Sequence, residues 1–319
     1  MINIGRKINY RVILYIIAGL AGAATIAGFA GQLWWVFDVT IHFRVQLLLI
    51  ISFSALYFAI KRERLYFVIS AGCVLLNLSI ILPLYLSPAL THNNAEPVRG
   101  LLINVQEQQE SVDPILELIQ SLDPDLILFV ETTESWVEQM ASLEQTYLYS
   151  HLEPRYSGAG LALFSRLPLT KATVWGSFPQ FRPAIMAQVL VDGEPVTVIA
   201  VHPYPPLRHE SWRTRNQQLA EVANFVAAQN EPVIVIGDLN TTPWSPIFRN
   251  FLEEAGLQDG RRGFGVKPTW PTHLPFMRIP LDHFLATEEI SVQNFSLGPD
   301  VGSDHFPVIV DFVIVTGGE

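Results

Sequence analysis

The order of apolar and polar positions divides this 319-residue chain into two regions. Three uncharged runs come first: VILYIIAGLAGAATIAGFAG at 12–31, VQLLLIISFSALYFAI at 45–60 and LYFVISAGCVLLNLSIILPLYL at 65–86. Crossing the hydrocarbon core of a bilayer takes about 20 mainly apolar residues, with a lower limit near 17. The first and third runs meet that length directly, and the second meets it when its helix starts near His42 or Phe43. The pattern predicts a membrane anchor over residues 1–86, with three transmembrane helices at about 12–31, 43–60 and 65–86. A cleaved signal peptide would explain the first run alone. Two further apolar runs at short spacing argue for retained helices instead.

After Leu86 the pattern changes. Residues 87–98, SPALTHNNAEPV, are polar and flanked by proline, as a linker is. From Arg99 onward short apolar runs of strand length alternate with turn residues. The runs are GLLINVQ, PDLILFVET, GLALFSR, a hairpin MAQVLVDGEPVTVIAVHP turning at Asp192-Gly193, EPVIVIGDLN, LDHFLATE and FPVIVDFVIV. Helical spacing predicts helices over Asp113 to Leu122, with Pro114 at its start, over Glu210 to Gln229, and a short one in SPIFRNFLEEAG ended by Gly256. The expectation is one α/β domain over 99–319, rich in strands.

Charge adds direction. Arg6, Lys7 and Arg11 precede the first apolar run, and Lys61, Arg62 and Arg64 separate the second from the third. Between the first two runs stand only Asp38, His42 and Arg44. The positive-inside rule then puts the N-terminus in the cytoplasm and the large domain outside a cytoplasmic (inner) membrane that the chain crosses several times. Residues 99–319 hold 13 Lys and Arg against 27 Asp and Glu, a net charge of −14. The one cysteine, Cys73, lies in the third apolar run, so the large domain has neither a disulfide nor a thiol nucleophile.

The informative polar residues stand where apolar runs end. Asn104 follows LLI, Glu131 follows LILFV, His202 follows VTVIAV, and Asp238 and Asn240 follow VIVIG. Asp282 opens a run, and Asp304 and His305 precede FPVIVDFVIV. Singly, each is a residue that a turn uses. Together, carboxylates, amides and histidines with few lysines suit a hard cation and a phosphate. Zinc fits less well without thiols or closely spaced histidines. No Walker loop or dinucleotide-binding glycine pattern is present, and SGAGLALFSR leads into a strand rather than a helix.

Those residues carry a specific resemblance. LLINVQ, LILFVET, YSGAGLALFSR, VIAVHP, GDLN, IPLDHFLAT and SDHFPV, in that order over Arg99 to Val315, are similar to the motifs of the endonuclease/exonuclease/phosphatase superfamily. The resemblance implies a four-layer α/β-sandwich, two packed mixed β-sheets flanked by helices, and a Mg²⁺-dependent (or Mn²⁺-dependent) phosphoester hydrolase. It implies that Glu131 binds the metal, helped by Asn104, with Asp304 beside it. His202 and Asn240 would donate hydrogen bonds to phosphate oxygens, and Asp282 would pair with His305. Asp238 would orient or deprotonate the attacking water, although His305 is an alternative general base. The chain departs from the pattern at Gln106, where many relatives have a second asparagine, and at RIPLD, which displaces Arg278.

The substrate is less legible. Arg208 and Arg213, in a basic stretch after His202 that also holds His209 and Arg215, and Tyr156 are candidate substrate-binding residues. A net charge of −14 suits a polyanion poorly, so nucleic acid is the second choice of partner. The apolar runs, with Trp34 and Trp35 suited to a membrane interface, favour a phosphorylated lipid. Three helices before such a domain also resemble bacterial membrane proteins linked to glycopeptide (teicoplanin) resistance, which implies a polyprenyl pyrophosphate. Sphingomyelin-like or phosphoinositide headgroups, and a non-catalytic binding module, complete the alternatives.

Overall fold

The computed structural model describes residues 10–86, 95–107, 111–175 and 182–315, so Arg6, Lys7 and most of the expected linker lie outside the described residues. It resolves into two compact units, residues 1–82 with Trp244–Pro246, and residues 83–243 with 247–319.

The first unit is helical. Its elements are α1 (Tyr10–Ala27), α2 (Trp35–His42), α3 (Arg44–Ile60) and α4 (Arg64–Ile81). Among the described residues two stretches are long and apolar enough to cross a membrane, Tyr10–Ala30 and Arg64–Tyr85. The middle stretch is a third candidate only as a bent pair: α3 has 17 residues, and α2, bent from it by 70°, precedes it. Asp38 and His42 therefore belong to a helix rather than to an open loop. Apolar helices gain little from packing in lipid, so buried polar side chains help to hold them together. Asn77 of α4 donates to Thr25 of α1 at 3.1 Å and accepts from Arg44 of α3 at 3.1 Å. Within the same unit, Ser245 donates to buried Asp38 at 2.8 Å, and the Trp244 indole donates to the His42 carbonyl at 3.2 Å.

The second unit contains two six-stranded mixed sheets. In chain order its elements are β1 (Val98–Asn104), α5 (Asp113–Leu122), β2 (Leu126–Val130), α6 (Glu134–Gln139), β3 (Tyr149–Glu153), β4 (Leu161–Ser165), β5 (Leu169–Trp175), β6 (Ala184–Val191) and β7 (Glu194–Val201). There follow α7 (His209–Ala227), β8 (Val233–Asp238), α8 (Pro246–Ala255), β9 (Gln258–Asp259), β10 (Asp282–Ala286), β11 (Ile290–Leu297) and β12 (Val308–Ile314). One sheet runs β11-β12-β1-β2-β4-β3 and the other β5-β6-β7-β8-β10-β9. Among the described residues only β1–β2 and β7–β8 pair in parallel, each joined through a helix.

Alternation along each strand builds the layers. Leu102 of β1 and Leu128 of β2 meet Ile185, Val198 and Ile236 from the other sheet in one buried cluster. The residues between them, Leu101, Ile103, Ile127 and Phe129, pack outward against Ile115 and Ile119 of α5 and Trp136 of α6. On the far side, Val233 and Val235 of β8 pack against α7 and α8. The order helix, sheet, sheet, helix is the expected four-layer sandwich. Strand β1 begins at Val98, inside the expected linker, and β3, β5, β9 and β11 are strands beyond those the sequence pattern predicted.

Candidate active site

The strand directions bring the polar strand ends to one place. The parallel pair β1 and β2 puts Asn104 and Glu131 at the same end, and the parallel pair β7 and β8 does the same for His202 and Asp238. Strand β10 runs antiparallel to β8 with Asp282 opposite Asp238, and β12 runs antiparallel to β1, so the Asp304-His305 turn arrives at that end too. Hydrogen bonds then join the two sheets. Asn104 Nδ2 donates to Glu131 Oε1 at 3.1 Å and lies 3.4 Å from Asp238 Oδ2. Ser303 Oγ donates to the Asn104 carbonyl at 2.7 Å, and the His305 amide donates to Ser303 Oγ at 3.1 Å.

The local backbone is unusual in a way that aims these groups. Glu131 and Asn240 have φ of 67° and 49°, a conformation costly for residues with a side chain and common at functional sites. Gly237 has φ of 149°, and a Cβ there would stand 1.9 Å from the Val201 carbonyl oxygen, so the last turn of β8 admits only glycine. Asp238 Oδ1 accepts from the Asn240 amide at 2.9 Å, which holds the GDLN turn closed.

Two histidines flank Asp238. His305 Nδ1 lies 2.7 Å from Asp282 Oδ2, and its Nε2 lies 3.7 Å from Asp238 Oδ2. Burial alone would push the His305 imidazole down, but the carboxylates of Asp282, Asp238 and Asp304 hold it up, to about 10. Burial and then repulsion by Asp282 raise the Asp238 carboxyl to about 6, against the pull of His305, His202 and the Asn240 amide. His202 Nδ1 lies 3.1 Å from the Asp238 carbonyl, and its Nε2 lies 3.4 Å from Glu131 Oε1 in a charge contact without hydrogen-bond alignment. Burial raises the Glu131 carboxyl, yet His202 and the Asn104 amide more than offset it and bring it to about 2.

The donor set suits a hard divalent cation. Asp238, Asp282 and His305 offer ligand atoms that lie within 4.8 Å of one another. Glu131 adds a carboxylate that stays ionised and is partly open to solvent. Oxygen donors in this number match Mg²⁺ or Mn²⁺, and no thiol is near. Asp304 accepts from the Trp270 indole at 2.9 Å, and its own amide donates to Gln106 Oε1 at 3.2 Å, so Gln106 does have a place beside the site. Asn240 Nδ2 donates to the Pro203 carbonyl at 3.0 Å and has a second hydrogen to offer.

The basic residues separate. Arg208 and Arg213 are exposed at the start of α7, and Tyr156 is exposed in the loop before β4. Arg215 is buried, with Nη1 donating to the Asn240 carbonyl at 2.8 Å. The sequence reading passed over Arg182. Its guanidinium lies over the Tyr204 ring at 4.8 Å and donates from Nη2 to the Ser157 carbonyl at 3.1 Å, while buried Nε has no partner among the described residues. Burial pushes the Arg182 guanidinium down, and the charges of Glu131, Tyr204, Asp238 and Glu107 pull it back up. The only hint in the sequence was an arginine before a predicted strand, which says nothing of the site.

Comparison with known proteins places this geometry. Residues 101–305 match the profile described as the endonuclease/exonuclease/phosphatase family. No curated protein matches the chain. Among solved structures, D. rerio TDP2 complexed with single strand DNA product is 16% identical, with 69% of this chain and 100% of that chain covered at a TM-score of 0.59. The endonuclease/exonuclease/phosphatase from Beutenbergia cavernae is 20% identical, covering 69% and 72% at 0.55. The human Nocturnin catalytic domain with bound sulfate anion is 18% identical, covering 69% and 94% at 0.54.

Proposed function

The chain belongs to the endonuclease/exonuclease/phosphatase family, and from that premise we propose that it hydrolyses phosphodiesters with the residues gathered around Asp238. The family and the acidic cluster support a Mg²⁺-dependent phosphoesterase. Glu131 and Asn104, with Asp304 beside them, would hold the cation; the group of Asp238, Asp282 and His305 would do so only with His305 deprotonated. When bound, it polarises a phosphoryl oxygen and offsets the charge that develops there.

The observation that carries the reading is the Asp282–His305–Asp238 chain. Asp282 holds His305 charged, and Asp238 sits 3.7 Å from the other ring nitrogen with its carboxyl raised to about 6. A base with a value near neutrality is well matched to taking a proton from water. Asp238 orients the attacking water and accepts its proton, and the water oxygen forms the new bond to phosphorus as the ester oxygen leaves. Asn240 and His202 donate to the phosphate oxygens, and Arg182 supplies a cation on the same side. His305 is the alternative base only if it gives up the charge that Asp282 favours. Arg208, Arg213 and Tyr156 are proposed to contact the part of the substrate beyond the phosphate.

Of the substrate classes, nucleic acid stands first. The D. rerio relative is described with a single strand DNA product, and its whole length aligns. A phosphorylated lipid such as a polyprenyl pyrophosphate stands second. The observation that favours it is the pair of apolar helices, Tyr10–Ala30 and Arg64–Tyr85, which suggest that the chain is held at a membrane. On that reading the helices cross the cytoplasmic membrane and the catalytic unit lies outside it. The test is Mg²⁺-dependent turnover by the purified full-length protein on single-stranded and duplex oligonucleotides and on a polyprenyl pyrophosphate, beside Asp238→Asn. That variant should keep its fold and lose at least ~100-fold in rate. A variant with near-normal rate would remove Asp238 from the mechanism.

A further inference from the structure

From Val98 onward, the described residues include seven large apolar side chains that are strongly exposed, and five of them are Tyr156, Leu207, Leu274, Phe276 and Met277. These five stand on three loops, and each loop is rooted in the active site. The loop of Tyr156 is tied by the Ser157 and Gly158 amides to the Glu107 carboxylate and by the Ser157 carbonyl to Arg182. The loop of Leu207 begins at His202, and its Pro203 carbonyl accepts from Asn240. The loop of Phe276 is held at its base by Trp270 on the Asp304 carboxylate and by the Thr272 amide on the Asp304 carbonyl. Its tip is a short 3-10 turn, Pro275–Met277, with Phe276 88% exposed.

Scattered exposed apolar residues need no explanation, but a set carried on loops rooted at one site does. Exposed Arg208 follows Leu207, and Arg155, which precedes Tyr156, is paired with Glu153 at 2.9 Å. Apolar tips beside an exposed cation suit the boundary between anionic headgroups and acyl chains. A nucleic-acid platform would also use cations, but it needs aromatic faces for base stacking. Here Tyr156 and Phe276 offer such faces, and Leu207, Leu274 and Met277 do not.

We propose that the rim formed by Tyr156, Leu207 and the 274–277 turn seats against an anionic lipid bilayer, so that the site opens onto the headgroup layer. The proposal rests on the membrane-bound reading of the helical unit and deepens the lipid reading of the substrate. Its test does not depend on turnover. Full-length Cys73→Ala protein carrying either Phe276→Cys or Leu148→Cys is spin-labelled and reconstituted into liposomes of phosphatidylethanolamine and phosphatidylglycerol. Leu148 is exposed and lies off the rim, so its label reports solvent.

After flotation, power saturation compares accessibility to oxygen with accessibility to a soluble nickel chelate. The expected result is a reversal: oxygen favoured at 276, the chelate favoured at 148. The same solvent-like values at both positions, in protein that floats, would overturn the rim while sparing the anchor. Protein that fails to float would overturn both. If the label at 276 is solvent-like in liposomes but immobilised by a single-stranded oligonucleotide, the rim is a nucleic-acid surface and the lipid proposal fails.

Discussion

Replacing Asp282 by asparagine isolates the charge that makes His305 unusual. The two groups are 2.7 Å apart, and both are buried. An opposite charge at this range raises a histidine by about 1–3 pH units, each worth about 1.4 kcal/mol between the two protonation states. Burial acts the other way, and the more distant Asp238 carboxylate remains. The His305 midpoint should therefore fall from about 10 by about 1–3 units in Asp282→Asn. The direction of the pH effect follows. A raised histidine stabilises the fold fully below its ordinary value of 6.5, and that contribution fades as pH rises through about 10. In the variant the contribution is smaller and is exhausted at a lower pH. The assay is NMR of carbon-labelled imidazoles in the chelator-treated protein, with His305→Gln to assign the signal, followed by the same titration with Mg²⁺. A wild-type His305 that titrates near 6.5, or an unchanged midpoint in the variant, would refute the reasoning.

Three further outcomes test other parts of the site. Glu131→Gln should raise the Mg²⁺ concentration for half-maximal activity by about 10–100-fold, read from a metal titration. Gly237→Ala should cost about 3 kcal/mol and lower the thermal midpoint by about 6–12 °C, because the added carbon overlaps the Val201 carbonyl oxygen. An unchanged midpoint would mean that β8 has room the structure denies it. Arg182→Met should lower kcat/KM by about 10–100-fold, the range for losing a hydrogen bond to a charged group, and Arg182→Lys should recover part of that loss. If both variants match wild type, Arg182 has only a structural role.

The strands most legible in the sequence were those buried on both faces. Continuous apolar runs such as LILFV and VIVI announce β2 and β8, because both faces of those strands are covered. The missed strands are edge or near-edge elements with mixed composition. β3 reads YSHLE and β5 reads LTKATVW, with most of β5 exposed, so neither has an apolar pattern to detect. In the middle membrane segment, hydropathy finds the apolar run but not the break at Phe43, where the backbone leaves helical geometry, nor the 70° bend between α2 and α3.

By itself the sequence determined which residues are polar at the ends of apolar runs. That was enough to name Asn104, Glu131, His202, Asp238, Asn240, Asp282, Asp304 and His305, because buried strands end abruptly and their last residues are held in place. It also determined that a strongly apolar N-terminal region precedes an acidic α/β domain. The resemblance implied that Asp282 pairs with His305, and the tertiary structure decided the other pairings, which depend on which strand ends converge. Asp238 meets His305 across 67 positions of chain because β10 returns antiparallel to β8 and β12 antiparallel to β1. Arg182 and the apolar rim became visible for the same reason. Their neighbours come from loops distant in sequence, and no local pattern of hydrophobic or charged residues encodes a meeting of loops.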